Sequence, residues 1–284
     1  MSAREPRILL IDPDPVLGGA LRADPALAGC AFDDAYGEAQ ALRRLRRQAY
    51  DLVITSPVST VGEDLALLEE LRGVRPGVKT IVLTRSATPE EVIASLRAHV
   101  FACFPAPHDA AEVASMAKRA LDANNWRDGI EVRSAHPDWL SLRVNCRLLS
   151  AERVVAFLHE LRPEVPESAR DLAMIGFREI LLNAMEHGGR FDPDKVVEVA
   201  AVRTERTIVY YVKDPGPGFR PEAVENVATG EEGADPVAHI ERRIEQGMRP
   251  GGFGLLLAKN VADELIYSEQ GNEVILIKHL GVKT

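Results

Sequence analysis

The chain has 284 residues, about two domains at the usual 100–200 residues each, and its 46% hydrophobic content lets each half bury a core of its own. A formal net charge of −9 repels nucleic-acid phosphates, which speaks against a direct DNA-binding role; the basic run Arg43-Arg44-Leu45-Arg46-Arg47 reads as the solvated face of one helix. The longest apolar runs, Ile8 to Ile11 and Val274 to Ile277, fall far short of the roughly 18 residues that span a bilayer, so no membrane partner is expected.

The opening Met-Ser-Ala-Arg-Glu-Pro is charged and short, and no signal peptide is expected before Ile8. Cys30, Cys103 and Cys146 are widely separated and show no metal-ligand spacing, which fits thiols in a reducing cytoplasm. Short apolar runs at Arg7 to Ile11, Leu52 to Thr55 and Thr80 to Leu83 predict strands. Each is followed by apolar residues at helical spacing: Val16 to Leu21, then Leu65, Leu68 and Leu71, then Val92, Ile93 and Leu96. Such alternation predicts a doubly wound parallel sheet with helices on both faces.

Ile-Leu-Leu-Ile-Asp at 8–12, Tyr-Asp-Leu-Val-Ile at 50–54, Ile-Val-Leu-Thr at 81–84 and Phe-Pro-Ala-Pro at 104–107 resemble the receiver domain of response regulators, with its flavodoxin-like fold. The resemblance implies an acid pair after the first strand, a phosphorylated aspartate after the third, a hydroxyl after the fourth and a lysine before a proline after the fifth. Aligned without gaps, the acids fall on Asp12 and Pro13, with Asp14 one place late, and the acceptor position holds Ser56. Thr84 keeps the hydroxyl, while the lysine position is Ala106, before Pro107. A phosphoaspartate needs a carboxylate nucleophile, a metal held by acids and a neutralising cation. The first half is therefore expected to be a pseudo-receiver that serves protein interaction or dimerisation.

A helix from Ala111 to Ala123 should present Val113, Met116, Ala117 and Leu121 on one face, and Asn124 to Gly129 breaks it. The boundary is placed there, giving domains 1–125 and 126–284. His159-Glu160-Leu161-Arg162-Pro163 is similar to the phosphoacceptor box of sensor histidine kinases, but only 24 positions (183 − 159) separate His159 from Asn183, leaving no room for the dimerising hairpin of that family. The alternative is a surface histidine on a helix that buries Val154, Val155, Leu158 and Leu161, with Ser150 as its cap.

The densest pattern is Arg178-Glu179-Ile180-Leu181-Leu182-Asn183-Ala184-Met185-Glu186-His187-Gly188-Gly189. Leu172, Ile175, Ile180 and Met185 give helical spacing, and Glu179, Asn183 and His187, four apart, should share one face. Asp214-Pro215-Gly216-Pro217-Gly218-Phe219 follows a strand-like run from Thr207 to Val212. Aspartate can accept a hydrogen bond from an adenine amino group, and the glycines allow close backbone approach. Pro250-Gly251-Gly252-Phe253-Gly254 opens a predicted helix from Leu255 to Val261, and such a turn offers free N–H groups to phosphates. Asp263 to Tyr267 and a strand from Glu273 to Lys278 complete the series. The 30 residues from Arg220 to Arg249, including Ile240, Arg242, Arg243, Ile244 and Arg249, are expected to form a partly helical lid.

Together these motifs resemble the GHKL ATPases, most closely the anti-sigma-factor serine kinases of bacterial partner-switching systems, over roughly residues 130–280. The resemblance implies an α/β sandwich, so that the whole chain combines an α/β with an α+β domain. It also implies ATP and Mg²⁺ as ligands, with Asn183 on the metal, His187 near the phosphates and Glu179 as general base. Asp214 would read adenine, with Gly216 and Gly218 beside the nucleotide and Gly252 and Gly254 at the phosphates. The function expected is a serine/threonine kinase whose protein partner is an anti-sigma-antagonist-like protein or a sigma factor. The alternative is a regulatory binding module that uses ATP without phosphoryl transfer. A homodimer is a further expectation of the resemblance, since both component folds often dimerise.

Overall fold

The computed structural model describes residues 4–11, 15–55, 57–123, 128–161, 165–218 and 254–280. The chain divides into two compact units, 1–128 and 129–284, each taken here by itself. Of the break expected from sequence at Asn124 to Gly129, Asn124 to Arg127 lie outside the described residues, as do Asp12, Pro13, Asp14, Ser56 and the 220–249 stretch.

The first unit is a five-stranded parallel sheet. Its strands are β1 (Arg7–Ile11), β2 (Ala31–Ala35), β3 (Leu52–Ile54), β4 (Lys79–Thr84) and β5 (Ala102–Pro105), in the order β2-β1-β3-β4-β5. That is the flavodoxin-like doubly wound order. Helices α1 (Pro15–Ala23) and α5 (Ala110–Asp122) pack together, as do α2 (Glu38–Arg47), α3 (Val61–Val74) and α4 (Pro89–Arg97) in series. Both faces of the sheet are thus covered, and the central strands β1, β3 and β4 are near-continuous apolar runs. Capping boxes at Thr60/Glu63 and Thr88/Glu91 start α3 and α4. The basic run lies in α2, which buries only Ala41 and Leu45.

At the carboxyl ends of β3 and β4, where this fold places its ligands, the described side chains are bonded inward. Thr84 Oγ1 donates to the carbonyls of Ser59 (3.1 Å) and Ser86 (3.0 Å). His108 Nε2 lies 3.1 Å from the Thr84 carbonyl oxygen. Ser59 Oγ is 2.9 Å from both carboxylate oxygens of Asp64, a residue of α3 that is only 3% exposed. Burial pushes the Asp64 carboxyl up to about 7, against the hydrogen bonds from Ser59 and Thr55.

The second unit is a six-stranded antiparallel sheet with helices on one face. Its strands are β6 (Ile130–His136), β7 (Trp139–Asn145), β8 (Val196–Arg203), β9 (Thr207–Lys213), β10 (Glu264–Tyr267) and β11 (Glu273–His279), in the order β10-β11-β9-β8-β7-β6. Helices α6 (Leu148–Glu160), α7 (Glu167–Asn183) and α8 (Gly254–Val261) cover the face formed by Leu140, Leu142, Val199, Ala201, Tyr210, Val212 and Leu276. Phe177 of α7 packs on Tyr210 with ring centroids 4.7 Å apart.

Gly176 lets α7 approach α8 and β11 closely. A Cβ there would stand 2.7 Å from Leu276 Cδ1 and 2.9 Å from Val261 Cγ2. The apolar pattern expected of this helix is shifted: Leu172 and Ile175 are exposed, and Ala173, Met174, Phe177, Ile180 and Leu181 are buried. The reason is that the seam follows the small residues, whose lack of bulk brings the neighbouring elements in. Ser150 is not a cap. Helix α6 starts three residues earlier with Arg147 as N-cap, and Ser150 Oγ instead donates to Asn145 Oδ1 at 2.5 Å. Of the four residues expected on the buried face of α6, Val154, Leu158 and Leu161 are buried, but Val155 is only half-buried and Phe157 takes a place there.

Two stability outcomes are expected. Because the Asp64 carboxyl sits higher in the folded chain than the roughly 3.9 of an unfolded one, the stability it contributes is complete below about pH 4 and is lost as pH rises through about 7. Asp64→Asn should therefore flatten the fall in first-unit stability between about pH 3 and 8, by up to about 4 kcal/mol at about 1.4 kcal/mol per unit, measured by urea unfolding of the full chain. Gly176→Val should cost the second unit about 2–3 kcal/mol through overpacking, although it removes a helical glycine. A urea midpoint unchanged from wild type would contradict the close crossing.

Candidate functional site

The last two turns of α7 carry the residues that the sequence singled out. Glu179 is largely buried, its side chain 16% exposed, and its Oε1 lies 3.0 Å from Arg178 Nη1. Asn183, half-buried, is the final residue of the regular helix. From Ala184 to Gly188 the helix widens into a π turn: the N–H of Gly189 reaches back five residues to Ala184 O at 2.9 Å, and Met185 O accepts from Phe191 N–H at 2.8 Å. Of the three residues expected on one helix face, Glu179 and Asn183 lie in the regular helix and His187 in this wider turn. Glu179 and Asn183 keep α-helical spacing, whereas His187, exposed, stands in the wider turn, where four residues no longer complete the α-helical angle.

The π turn meets the first glycine loop. Asp214 follows β9 and is half-buried; its N–H donates to Asn272 O at 2.9 Å, and its Oδ1 accepts from Gly216 N–H at 2.7 Å. Burial raises the Asp214 carboxyl above its ordinary range, while the Gly216 N–H and the nearby His187 imidazole oppose the rise. Gly188 and Gly216 are in contact: a Cβ on Gly216 would stand 2.7 Å from Gly188 Cα and 2.8 Å from Asp214 Oδ1. Gly218 has φ +80°, open to glycine at little cost, and its Cα faces the Gln270 carbonyl in the β10–β11 turn. The Gln270 side chain donates to Pro217 O at 3.3 Å.

The start of α8 also meets this helix. Gly254 is the first residue of α8, and a Cβ there would collide with Glu179 Oε2 and lie 3.4 Å from its Cδ. The carboxylate of Glu179 is thus seated at the opening of the helix that follows the glycine-rich segment. Gly252 lies outside the described residues. Glu179 meets Gly254 at one end of this strip, and the π turn meets Asp214 and Gly216 at the other. Cradles that any side chain would fill, at a helix start and beside a buried carboxylate, suit a ligand with a polyanionic end and a flat hydrogen-bonding end.

Gly188 and the Gln270 turn carry no functional reading from sequence. The Gly188-Gly189 pair is a visible signal, but nothing in its spacing points to Asp214, which lies 26 residues on (214 − 188). His159, expected at the surface, is half-buried between Glu160 Oε1 (3.0 Å) and Asp171 Oδ1 (3.2 Å), so it bridges α6 to α7. Both ring nitrogens face carboxylates, and the Glu160 bond leads in raising the imidazole pKa. Arg162 and Pro163 of that string lie outside the described residues. No group of three or more His, Cys, Asp and Glu suited to a metal ion occurs among the described residues, and no described helix is long and apolar enough to cross a membrane.

Residues 145–278 match the family model of the histidine kinase-like ATPase domain. An anti-sigma F factor of Anoxybacillus flavithermus is 32% identical over 130 residues, covering 45% of this chain and 80% of that protein. The transcriptional regulatory protein GlrR of Escherichia coli is 28% identical over 165 residues, 56% of this chain, although the match spans only 37% of that regulator's length. A solved CheY-like receiver domain from Methanospirillum hungatei is 24% identical, covering 42% of this chain and 95% of its own, with a TM-score of 0.37. On the motifs, the second sheet's topology and the anti-sigma F factor likeness, the chain belongs to the histidine kinase-like ATPase family, on its anti-sigma-factor side, and carries a first unit of flavodoxin-like sheet order.

Proposed function

We propose that this chain is a cytoplasmic serine/threonine kinase that phosphorylates an anti-sigma-antagonist-like protein, and that it holds that protein or a sigma factor as part of a switch. Its family supports the coarser part of this reading, an ATP-binding regulatory domain with protein partners. One observation carries the finer reading. The Glu179 carboxylate lies against Gly254 at the opening of α8, so an acid suited to proton abstraction adjoins a helix start suited to phosphate.

In this reading Asp214 accepts a hydrogen bond from the adenine amino group, with Gly216 and Gly218 letting the backbone come close to base and ribose. Gly252 and Gly254 flank the phosphates, and His187 stands near them. Asn183 would hold Mg²⁺ through its amide oxygen, and that ion, when bound, supplies positive charge against the phosphate oxygens. Glu179 takes the proton of a serine or threonine hydroxyl as its oxygen bonds to the terminal phosphorus and the bond to the ADP oxygen breaks. The first unit supplies a protein-binding surface in place of an acyl-phosphate switch. Inward bonding of the Thr84 hydroxyl and the alanine at position 106 support that assignment.

The sheet face of the second unit opposite its helices, left open among the described residues of that unit, supports a homodimer. Trp139, Val202 and Ile266 are exposed there, and pairing across the strands lines up Trp139, Val202, Val209 and Ile277. A parallel row runs Arg143, Glu198, Lys213, Glu273. These charges alternate in sign, so a two-fold axis along the strands would set each against its opposite in a second copy.

Incubation of the full chain with γ-labelled ATP and a cell extract tests the kinase reading. Wild type should label one captured partner on serine or threonine, and Glu179→Gln should lower that labelling about 10²–10⁴-fold while leaving ATP affinity nearly intact. Asp214→Ala should weaken ATP binding by about 1.5–3 kcal/mol in calorimetry. ATP bound by wild type with no transfer to any captured partner would favour a binding module instead. Sedimentation should show a dimer that Val202→Glu dissociates; a wild-type monomer at tens of micromolar would remove the dimer.

A further inference from the structure

The π turn presses a backbone with no side chain directly onto the carboxylate of Asp214. A Cβ at Gly188 would overlap Asp214 Oδ1 and Cγ and stand 2.5 Å from its Cβ. Gly216 closes the other flank, with its own would-be Cβ 2.7 Å from Gly188 Cα. Neither backbone can simply withdraw. Gly189 is backed by Cys146, whose Cβ would be 2.9 Å from a methyl there, and the Asp214 N–H is tied to Asn272 O at 2.9 Å. Within this notch Oδ1 is already used by the Gly216 N–H at 2.7 Å. Oδ1 is the carboxylate oxygen taken by the loop, which leaves Oδ2 as the acceptor for a further donor.

We infer that Gly188 is a positioning residue for base selection: with Gly216 it fixes the Asp214 carboxylate so that one oxygen is spent on the loop and the other selects a purine bearing a 6-amino group. The inference rests on the assignment of Asp214 to the base. An ionised carboxylate only accepts, so it favours an exocyclic amino group and rejects a carbonyl or a bare carbon at the same place. A methyl at position 188 rotates the carboxylate out of the notch and breaks its bond to Gly216, whereas the Glu179 and Gly254 end of the strip is left alone.

Calorimetry on the full chain with ATP, with purine riboside triphosphate (which lacks the 6-amino group) and with inorganic tripolyphosphate tests this. Wild type should prefer ATP over the purine analogue about 10- to 100-fold, the range expected for a hydrogen bond to a charged group. Gly188→Ala should bring that ratio to within about twofold of one, with tripolyphosphate binding unchanged. Gly189→Ala disturbs the same turn against Cys146 and should lower thermal stability while keeping the ratio, which separates positioning from general loosening. If Gly188→Ala does not fold, Gly216→Ala decides by the same ratio. A folded variant that keeps wild-type discrimination overturns the role of Gly188 and leaves Asp214 as base reader. A wild-type ratio of one overturns both, because Asp214 then selects nothing.

Discussion

The close crossing of α7 with α8 and β11 at Gly176 is the constraint from which the second unit takes its shape. Without a side chain at that position the helix can lie within contact of Leu276 and Val261, and Phe177, one residue on, locks onto Tyr210. These contacts fix the height and rotation of α7 above the sheet. Its last two turns then reach the glycine loop after β9 on one side and the start of α8 on the other. A bulkier residue at 176 would lift the helix and separate the two ends of the strip together.

The π turn does something a plain helix could not. Continuing in α-helical form, Gly189 would bond to Met185 O; instead it bonds to Ala184 O, and Met185 O is taken by Phe191. The extra residue in the turn carries Gly188 to the side of Asp214. Widened turns of this kind are rare and concentrate at functional positions, where a register change re-aims side chains. Here it also sets His187 near enough to Asp214 for the two to interact electrostatically.

In the first unit, described polar side chains at the carboxyl end of the sheet bond inward. Its sheet order and two-sided helical cover are intact, yet Thr84 donates to backbone carbonyls and Asp64 is buried against the Ser59 hydroxyl. A buried carboxyl held up near 7 is a stability liability at higher pH. It also fills the polar end of the sheet with internal hydrogen bonds.

Much of this was legible in residue order. The apolar runs of β1, β3 and β4 announced central parallel strands because burial on both faces leaves no polar positions. Edge strand β2 was invisible for the converse reason: Asp33 and Asp34 point to Arg7, Tyr50 and Arg22 instead of into a core. The three motif segments stood out because acidic, amide or glycine residues lie close together along the chain in each. Which α7 face is buried, where the helix widens, and that Gly188 abuts Asp214 were settled only by folding. Those depend on contacts between residues far apart in sequence, where small side chains act through the neighbours they admit and leave no periodic signal of their own.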